Sequence, residues 1–241
     1  MKVIVSGANG FMGREVIALC DKNYKNAELV GKVDVNGEGV VPTLSQCSEK
    51  GDVLIDFSFH TATKQLLLDA IELNLPCVIA TTGHTDEEKA FIKEASTKIP
   101  VFYSANYSLG VALTAKLVRE AVSSIDGDIE IIETHHNRKV DAPSGTALML
   151  ANAIREVKPN LTVNCGRNGN CKRQENEIGI SSIRCGNVVG IHEVMINTGN
   201  ETLTIKHEAH ARSLFANGAI CAADYLIGKP AGLYDMKSLF N

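Results

Sequence analysis

The sequence predicts an α/β protein made of a Rossmann-type dinucleotide-binding domain and an α+β substrate-binding and oligomerisation domain with a mixed sheet. Three observations carry this expectation. Residues 1–106 alternate short apolar runs with helical patterns, the rhythm of a parallel sheet with crossover helices. Gly7, Gly10 and Gly13 fall between the first apolar run and the first helical pattern, where a tight turn opening a helix can cradle a pyrophosphate. Three strand-like runs then follow one another near the C-terminus without intervening helices. The expected division is 1–106 with 213–241 for the dinucleotide-binding domain, and 107–212 for the second domain.

Lys2–Ser6 reads as a buried strand, and Gly13–Asp21 as a helix carrying Val16, Ile17, Leu19 and Cys20. Ala27–Asp34 and Val53–Phe57 are the next two strands, the latter followed by a helix with Leu66, Leu67, Ala70 and Ile71. Cys77–Thr81 is a fourth strand. Thr85-Asp86-Glu87-Glu88 is a capping box opening the helix of Phe91, Ile92 and Ala95. Pro100–Tyr103 is a fifth strand, with proline at its first residue, where no central ladder bond is lost.

After Asn106 the rhythm changes. Leu109–Ser124 reads as one helix, Ile129–His136 as a strand and Ser144–Val157 as a capped helix. Pro159–Glu177 is a polar, Gly/Asn-rich connection. The strands Ile178–Arg184, Val188–Thr198 and Glu201–His210 meet at Cys185-Gly186-Asn187 and Gly199-Asn200, both read as hairpin turns. A final helix near Leu214–Ile227 is expected to return and pack on the first domain.

Composition narrows the function classes. Of 241 residues, 44% are hydrophobic and 22% charged, enough for packed cores in two modest domains. A net charge of −4 offers no general attraction for nucleic acid or an anionic membrane. An anionic small substrate would therefore need a local basic pocket. The apolar stretch at Met1–Ser6 is too short for a signal peptide, and no run approaches a membrane span. The seven cysteines are odd in number and contain no Cys-x-x-Cys, so they read as reduced thiols of a cytoplasmic protein that binds no metal.

Two regions carry candidate chemistry. Gly7, Ala8, Asn9, Gly10, Phe11 and Met12 form the phosphate-binding turn, with Asn9 expected to take the positive-φ conformation that glycine supplies in the strict fingerprint. Asp34 ends the second strand, where a carboxylate accepts the adenosine ribose hydroxyls and disfavours the extra phosphate of NADPH. The cofactor is thus NADH or NADPH, with NADH expected to be used. Ala80, Thr81 and Thr82, with Ser104, Ala105, Asn106 and Tyr107, sit at the carboxyl ends of strands four and five, where open α/β sheets bind ligands.

The second region is Glu133–Thr146. On an extended strand Glu133 and His135 share one face and Thr134 and His136 the other. Continued alternation would bring Lys139 to the side of His135, pairing a titratable donor with a fixed cation. Asp141-Ala142-Pro143 ends the strand, and Ser144 caps the next helix. Ser144, Gly145 and Thr146 then form a helix start suited to a carboxylate or phosphate.

These residues match a known family. The chain resembles the 4-hydroxy-tetrahydrodipicolinate (dihydrodipicolinate) reductases over nearly its whole length. The likeness rests on Val5–Gly13, Ile55–Ser58, Ala80–Gly83, Ala105–Val111, Arg184–His192, Arg212–Ala219 and, most specifically, Glu133–Thr146. It implies hydride transfer from NADH or NADPH to a cyclic imine dicarboxylate, giving tetrahydrodipicolinate on the diaminopimelate and lysine route. It implies His135 as proton donor and Lys139 as the cation that holds and polarises the substrate. His136, Ser144, Gly145 and Thr146 would bind substrate carboxylate. It also implies a homotetramer assembled through the second domain's sheet. Phe11, Phe59 and Val35 stand where many members carry basic residues, which weakens the expectation of strong NADPH binding. The stretch between Asp34 and Asp52 is short for the family, so the second crossover is expected to be a loop.

Two alternatives stay open at this point. One is a related two-domain dehydrogenase acting on an amino or aldehyde acid such as aspartate. The other is a nicotinamide-binding redox sensor without turnover.

Overall fold

A computed structural model describes residues 1–240. The chain forms two compact units, Met1–Leu109 with Ser213–Asn241 and Gly110–Arg212.

The first unit is a six-stranded parallel sheet in the order β11-β5-β4-β3-β1-β2, formed by β1 (Lys2–Ser6), β2 (Glu28–Val33), β3 (Val53–Asp56), β4 (Cys77–Ile79), β5 (Pro100–Tyr103) and β11 (Gly232–Tyr234). The central strands are buried on both faces, so they read as continuous apolar runs. Helices α2 (Thr63–Glu72) and α3 (Asp86–Ala95) cover one face through Leu66, Leu67, Ala70, Ile92 and Ala95. Thr85 and Glu88 form the reciprocal capping box at the start of α3. Helix α1 (Phe11–Asp21) packs with α6 (Ser213–Leu226), and α6 lies on β3, β4 and β5. Between β2 and β3 there is no α-helix, only a 3-10 turn at Leu44–Gln46 and a bridge from Val33 to Val41.

The second unit is a mixed five-stranded sheet in the order β10-β9-β6-β8-β7. Its strands are β6 (Asp128–His135), β7 (Thr162–Cys165), β8 (Glu177–Arg184), β9 (Gly190–Asn197) and β10 (Thr202–Ala209). The apolar residues of α4 (Leu109–Ser124) and α5 (Gly145–Val157) pack on one face, against Ile129, Ile131, Ile178, Ile180, Val194 and Ile196.

Three details depart from the sequence reading. Gly199-Asn200 does close a hairpin, since β9 and β10 pair antiparallel. Cys185-Gly186-Asn187 does not: β8 is parallel and β9 antiparallel to β6, and β6 lies between them. That turn instead bonds to the end of β6, through Cys185 N–H to His135 O (2.8 Å) and Asn137 N–H to Gly186 O (3.1 Å). Two edge strands lacked a readable pattern. β7 lies inside the polar connection and is partly exposed, and β11 has only three residues.

Candidate functional site

In the first unit the turn after β1 forms because Gly7 takes φ +72°, and a side chain there would collide with the backbone of Phe57 and Ser58. The amides of Gly7 and Ala8 donate to Val33 O, fastening the turn to the end of β2. Gly10 is the N-cap of α1 and offers no side-chain cap, so the first helix amides face outward as an anion site. Asn9 does not use positive φ. It holds the turn through its side chain, donating from Nδ2 to Asn36 O at 2.6 Å, and its amide donates to Asp34 Oδ2 at 2.9 Å. The other Asp34 oxygen accepts Val35 N–H at 2.8 Å, so two backbone amides aim this carboxylate.

Gly7, Asn9, Gly10 and Asp34 line a cavity of about 530 Å³, together with Val33, Val35, Phe57 and Phe59. Among the described residues, the charged ones that line it are Asp34 and Asp69. Phe11, Met12, Ala80, Thr81, Thr82, Ala105, Asn106 and Tyr107 line a second cavity of about 430 Å³ in the same unit, with Phe57, Ser58 and Phe215. Ala8 is buried and lines neither. Ser104 also lines neither; its hydroxyl donates to Asn106 O at 2.9 Å and shapes the loop. Tyr107 is buried, and its hydroxyl points to the carbonyls of Ile79 and Phe102 at 2.9 and 3.1 Å.

Asp56 was not among the predicted site residues. It is fully buried at the end of β3 and accepts Ser58 N–H and the Thr81 hydroxyl, both at 3.0 Å. Burial pushes its carboxyl up, against the lowering effect of these hydrogen bonds. It thereby joins two loops that line the second cavity.

In the second unit β6 alternates as expected, with Ile129, Ile131, Glu133 and His135 on the buried face. The alternation stops at His135. Residues 137–138 form a turn closed by Lys139 N–H to His136 O at 3.1 Å, so strand geometry does not place Lys139 beside His135. Lys139 Nζ pairs with Asp141 at 2.8 Å.

Glu133 is the hub of this end. Arg184 grips it with two bonds of 2.9 Å, Nη1 to Oε2 and Nη2 to Oε1; Ser144 N–H donates to Oε1 at 3.1 Å; and His135 Nδ1 bonds Oε2. Burial would push this carboxyl up, but the bonds from Arg184, Ser182 and His135 outweigh it and hold the group at about 2. Ser144 caps α5 by accepting Ala147 N–H at 3.2 Å, and its hydroxyl meets His192 Nε2 at 3.0 Å. Burial, then the neighbouring His135, push His192 down to about 4.

His136, just past the end of β6, is lowered by burial and then by the charges of Arg138 and Arg212. Arg138 is itself held by Asn187 at 2.8 Å. Gly145 opens α5 exposed, with nothing within 4 Å of where a side chain would stand. The result is a basic strand end beside an uncrowded helix start, suited to an anion.

Glu133, Arg184 and His192 were not singled out from sequence, although all three lie in stretches that carry the family resemblance. Their meeting follows from the register of β6 with both neighbours: His135 opposes Arg184, and Glu133 opposes His192. Among the described residues, no group of three or more His, Cys, Asp and Glu residues is placed to hold a metal ion. No helix there is long and apolar enough to cross a membrane.

Comparison with known proteins covers the whole chain. Residues 1–107 match the family model for the N-terminus of dihydrodipicolinate reductase, and residues 110–240 the model for its C-terminus. The 4-hydroxy-tetrahydrodipicolinate reductase of Caldanaerobacter subterraneus subsp. tengcongensis is 45% identical, with 99% of this chain and 98% of the relative aligned. That of Rickettsia bellii is 42% identical, over 98% of this chain and 93% of its own. A dipicolinate-bound dihydrodipicolinate reductase from Paenisporosarcina sp. TG-14 shares the fold with a TM-score of 0.81 at 24% identity, covering 98% of this chain and 97% of its own.

Proposed function

Because this chain belongs to the dihydrodipicolinate reductase family, we infer that it passes hydride from NAD(P)H to a cyclic imine dicarboxylate, giving tetrahydrodipicolinate for diaminopimelate and lysine synthesis. The observation that carries this is full-length similarity to named 4-hydroxy-tetrahydrodipicolinate reductases, two of them 45% and 42% identical.

The glycine turn fits a dinucleotide: Gly7 is conformationally required, and the uncapped start of α1 is an anion site. When bound, the nicotinamide supplies the hydride. NADH is the proposed preferred form. Asp34, aimed by two amides, can accept both ribose hydroxyls, while among the described residues no lysine, arginine or histidine lines that cavity to receive a 2′-phosphate. Ala80–Thr82 and Ala105–Tyr107 would hold the nicotinamide end, presenting small polar groups around an aromatic-walled cavity.

At the other end His135 is the proposed proton donor. Hydride addition leaves the conjugated ring electron-rich, and an imidazole is a suitable acid for returning a proton near neutrality. Lys139 would exchange Asp141 for substrate and polarise it. His136 and the start of α5 at Ser144, Gly145 and Thr146 would bind carboxylate, the helix dipole adding to the nearby cations. His135→Gln should cut turnover far more than cofactor affinity, and Lys139→Ala should damage both substrate KM and turnover. Near wild-type rates in both variants would refute these roles.

A homotetramer is proposed through the sheet of the second unit. Ile132, Ile183, Ile191 and Met195 lie on the face turned away from α4 and α5, and Ile183 is 46% exposed. Light scattering after gel filtration should give four chains; a monomer at micromolar concentration would contradict it. A cytoplasmic setting is supported by seven cysteines that are all free.

A further inference from the structure

The proton-donor reading leaves open which imidazole nitrogen acts and what fixes it. We propose that Glu133, clamped by Arg184 and the Ser144 amide, is a positioning residue that accepts the hydrogen bond from His135 Nδ1–H and so makes Nε2 the nitrogen that delivers a proton to substrate. This rests on His135 being the donor.

Three observations carry it. Glu133 and His135 stand two residues apart on the buried face of β6, the carboxylate 0% and the histidine 8% exposed. Bulk solvent therefore does not reach the carboxylate. The carboxylate cannot swing away, because both oxygens are held: Oε1 by Arg184 Nη2 and Ser144 N–H, Oε2 by Arg184 Nη1 and His135. Arg184 is anchored in turn through Asp141 O at 2.6 Å and Ile183 O at 2.8 Å. Finally, Gly190 opens β9 at the edge of the ring. A Cβ there would stand 3.1 Å from His135 Nε2 and 3.4 Å from Cδ2, so the absent side chain keeps that edge clear. Another titratable neighbour, His192, packs edge-on at 5.1 Å between ring centroids. It stays neutral near pH 7, since burial holds it at about 4, and adds no competing charge.

The step balances as an acid transfer. Once the bound nicotinamide had supplied hydride to the imine system, the Nε2–H bond of the imidazolium would break and its proton would go to the atom left electron-rich. The N–H electron pair stays on Nε2. The neutral ring keeps its proton on Nδ1, hydrogen-bonded to Glu133, and solvent reprotonates Nε2.

The test is a cycle of Glu133→Gln, His135→Gln and the double variant, with substrate and NADH assayed separately. Glu133→Gln should lower kcat by about a hundredfold while the KM for NADH changes less than about twofold. The double variant should be no slower than His135→Gln alone. If His135→Gln turns over normally, the donor reading fails. If His135→Gln is slow but Glu133→Gln keeps wild-type kcat, or the two losses multiply, the positioning role fails instead. Nitrogen-15 NMR of histidine in the unmodified protein tests it without substitution. Neutral His135 should carry its proton on Nδ1, and a proton on Nε2 would overturn the proposal.

Discussion

Replacing Arg184 with Met should reveal how much of the second unit's stability rests on one buried ion pair. Glu133 is 0% exposed, and Arg184 supplies two of its bonds at 2.9 Å. The methionine fills most of the space and donates nothing, so an ionised carboxylate is left buried with too few partners. Breaking a buried pair in this way costs about 3–5 kcal/mol. The folded protein holds Glu133 at about 2 against an ordinary 4.5, a difference worth about 3 kcal/mol. The two routes agree. With a urea dependence of about 2 kcal/mol per M, the midpoint at pH 8 should fall by about 1.5 M, read by circular dichroism because the chain has no tryptophan. The pH dependence should also reverse. In the wild type this depressed carboxyl stabilises above pH 4.5, and its contribution is lost as pH falls toward 2. Without Arg184, burial raises it, so its contribution is lost as pH rises through the new value. Adding Glu133→Gln to Arg184→Met should recover part of the loss by removing the buried charge. A midpoint shift below about 0.3 M, with an unchanged pH slope, would refute the reasoning.

Other outcomes follow from the same geometry. His192, at about 4 in the fold against 6.5 unfolded, stabilises fully above pH 6.5. Its contribution fades as pH falls through 4, so about 2 kcal/mol should disappear between pH 7.5 and 5, measurable by urea titration at each pH; His192→Asn should remove that slope. Gly145→Ala should leave the melting temperature unchanged or slightly raised, because the added methyl meets nothing within 4 Å and alanine suits a helix better by up to about 1 kcal/mol. Its substrate KM should rise all the same, since the methyl occupies the anion's approach. A dicarboxylate analogue of the proposed substrate should bind more tightly as pH falls, because His136 is depressed by burial and then by Arg138 and Arg212 and a dianion favours its charged form; calorimetry at pH 6 and 8 would show this. Asp34→Ser should raise the KM for NADH about tenfold or more and the KM for NADPH by less.

Much of this was legible because local chemistry determined it. The buried strands of the first sheet are continuous apolar runs, the Thr85–Glu88 capping box formed as its spacing predicts, and Ser144 caps α5 from its place after Pro143. What escaped the sequence depended on pairing. Arg184 lies 51 positions from the Glu133 it grips and His192 48 positions from the Ser144 it bonds, and neither β8 nor β9 announces that β6 will slot between them. Reading Cys185–Asn187 as a hairpin followed the usual rule that consecutive strands are neighbours, and here a crossover overrides it. The Lys139 expectation failed as a geometric argument for a local reason: a turn after His135 ends the two-residue period on which it depended. Asn9 shows the same limit on a smaller scale, since its role lies in a side-chain bond to Asn36 and not in its backbone.

The central claim is that this chain reduces the pathway's cyclic imine dicarboxylate with NADH as the better donor. Initial rates of nicotinamide oxidation, with the substrate generated freshly in the cuvette and each cofactor varied in turn, test it most directly. The account predicts substrate-dependent turnover with both cofactors and a higher kcat/KM for NADH. No oxidation of either cofactor on that substrate would contradict it.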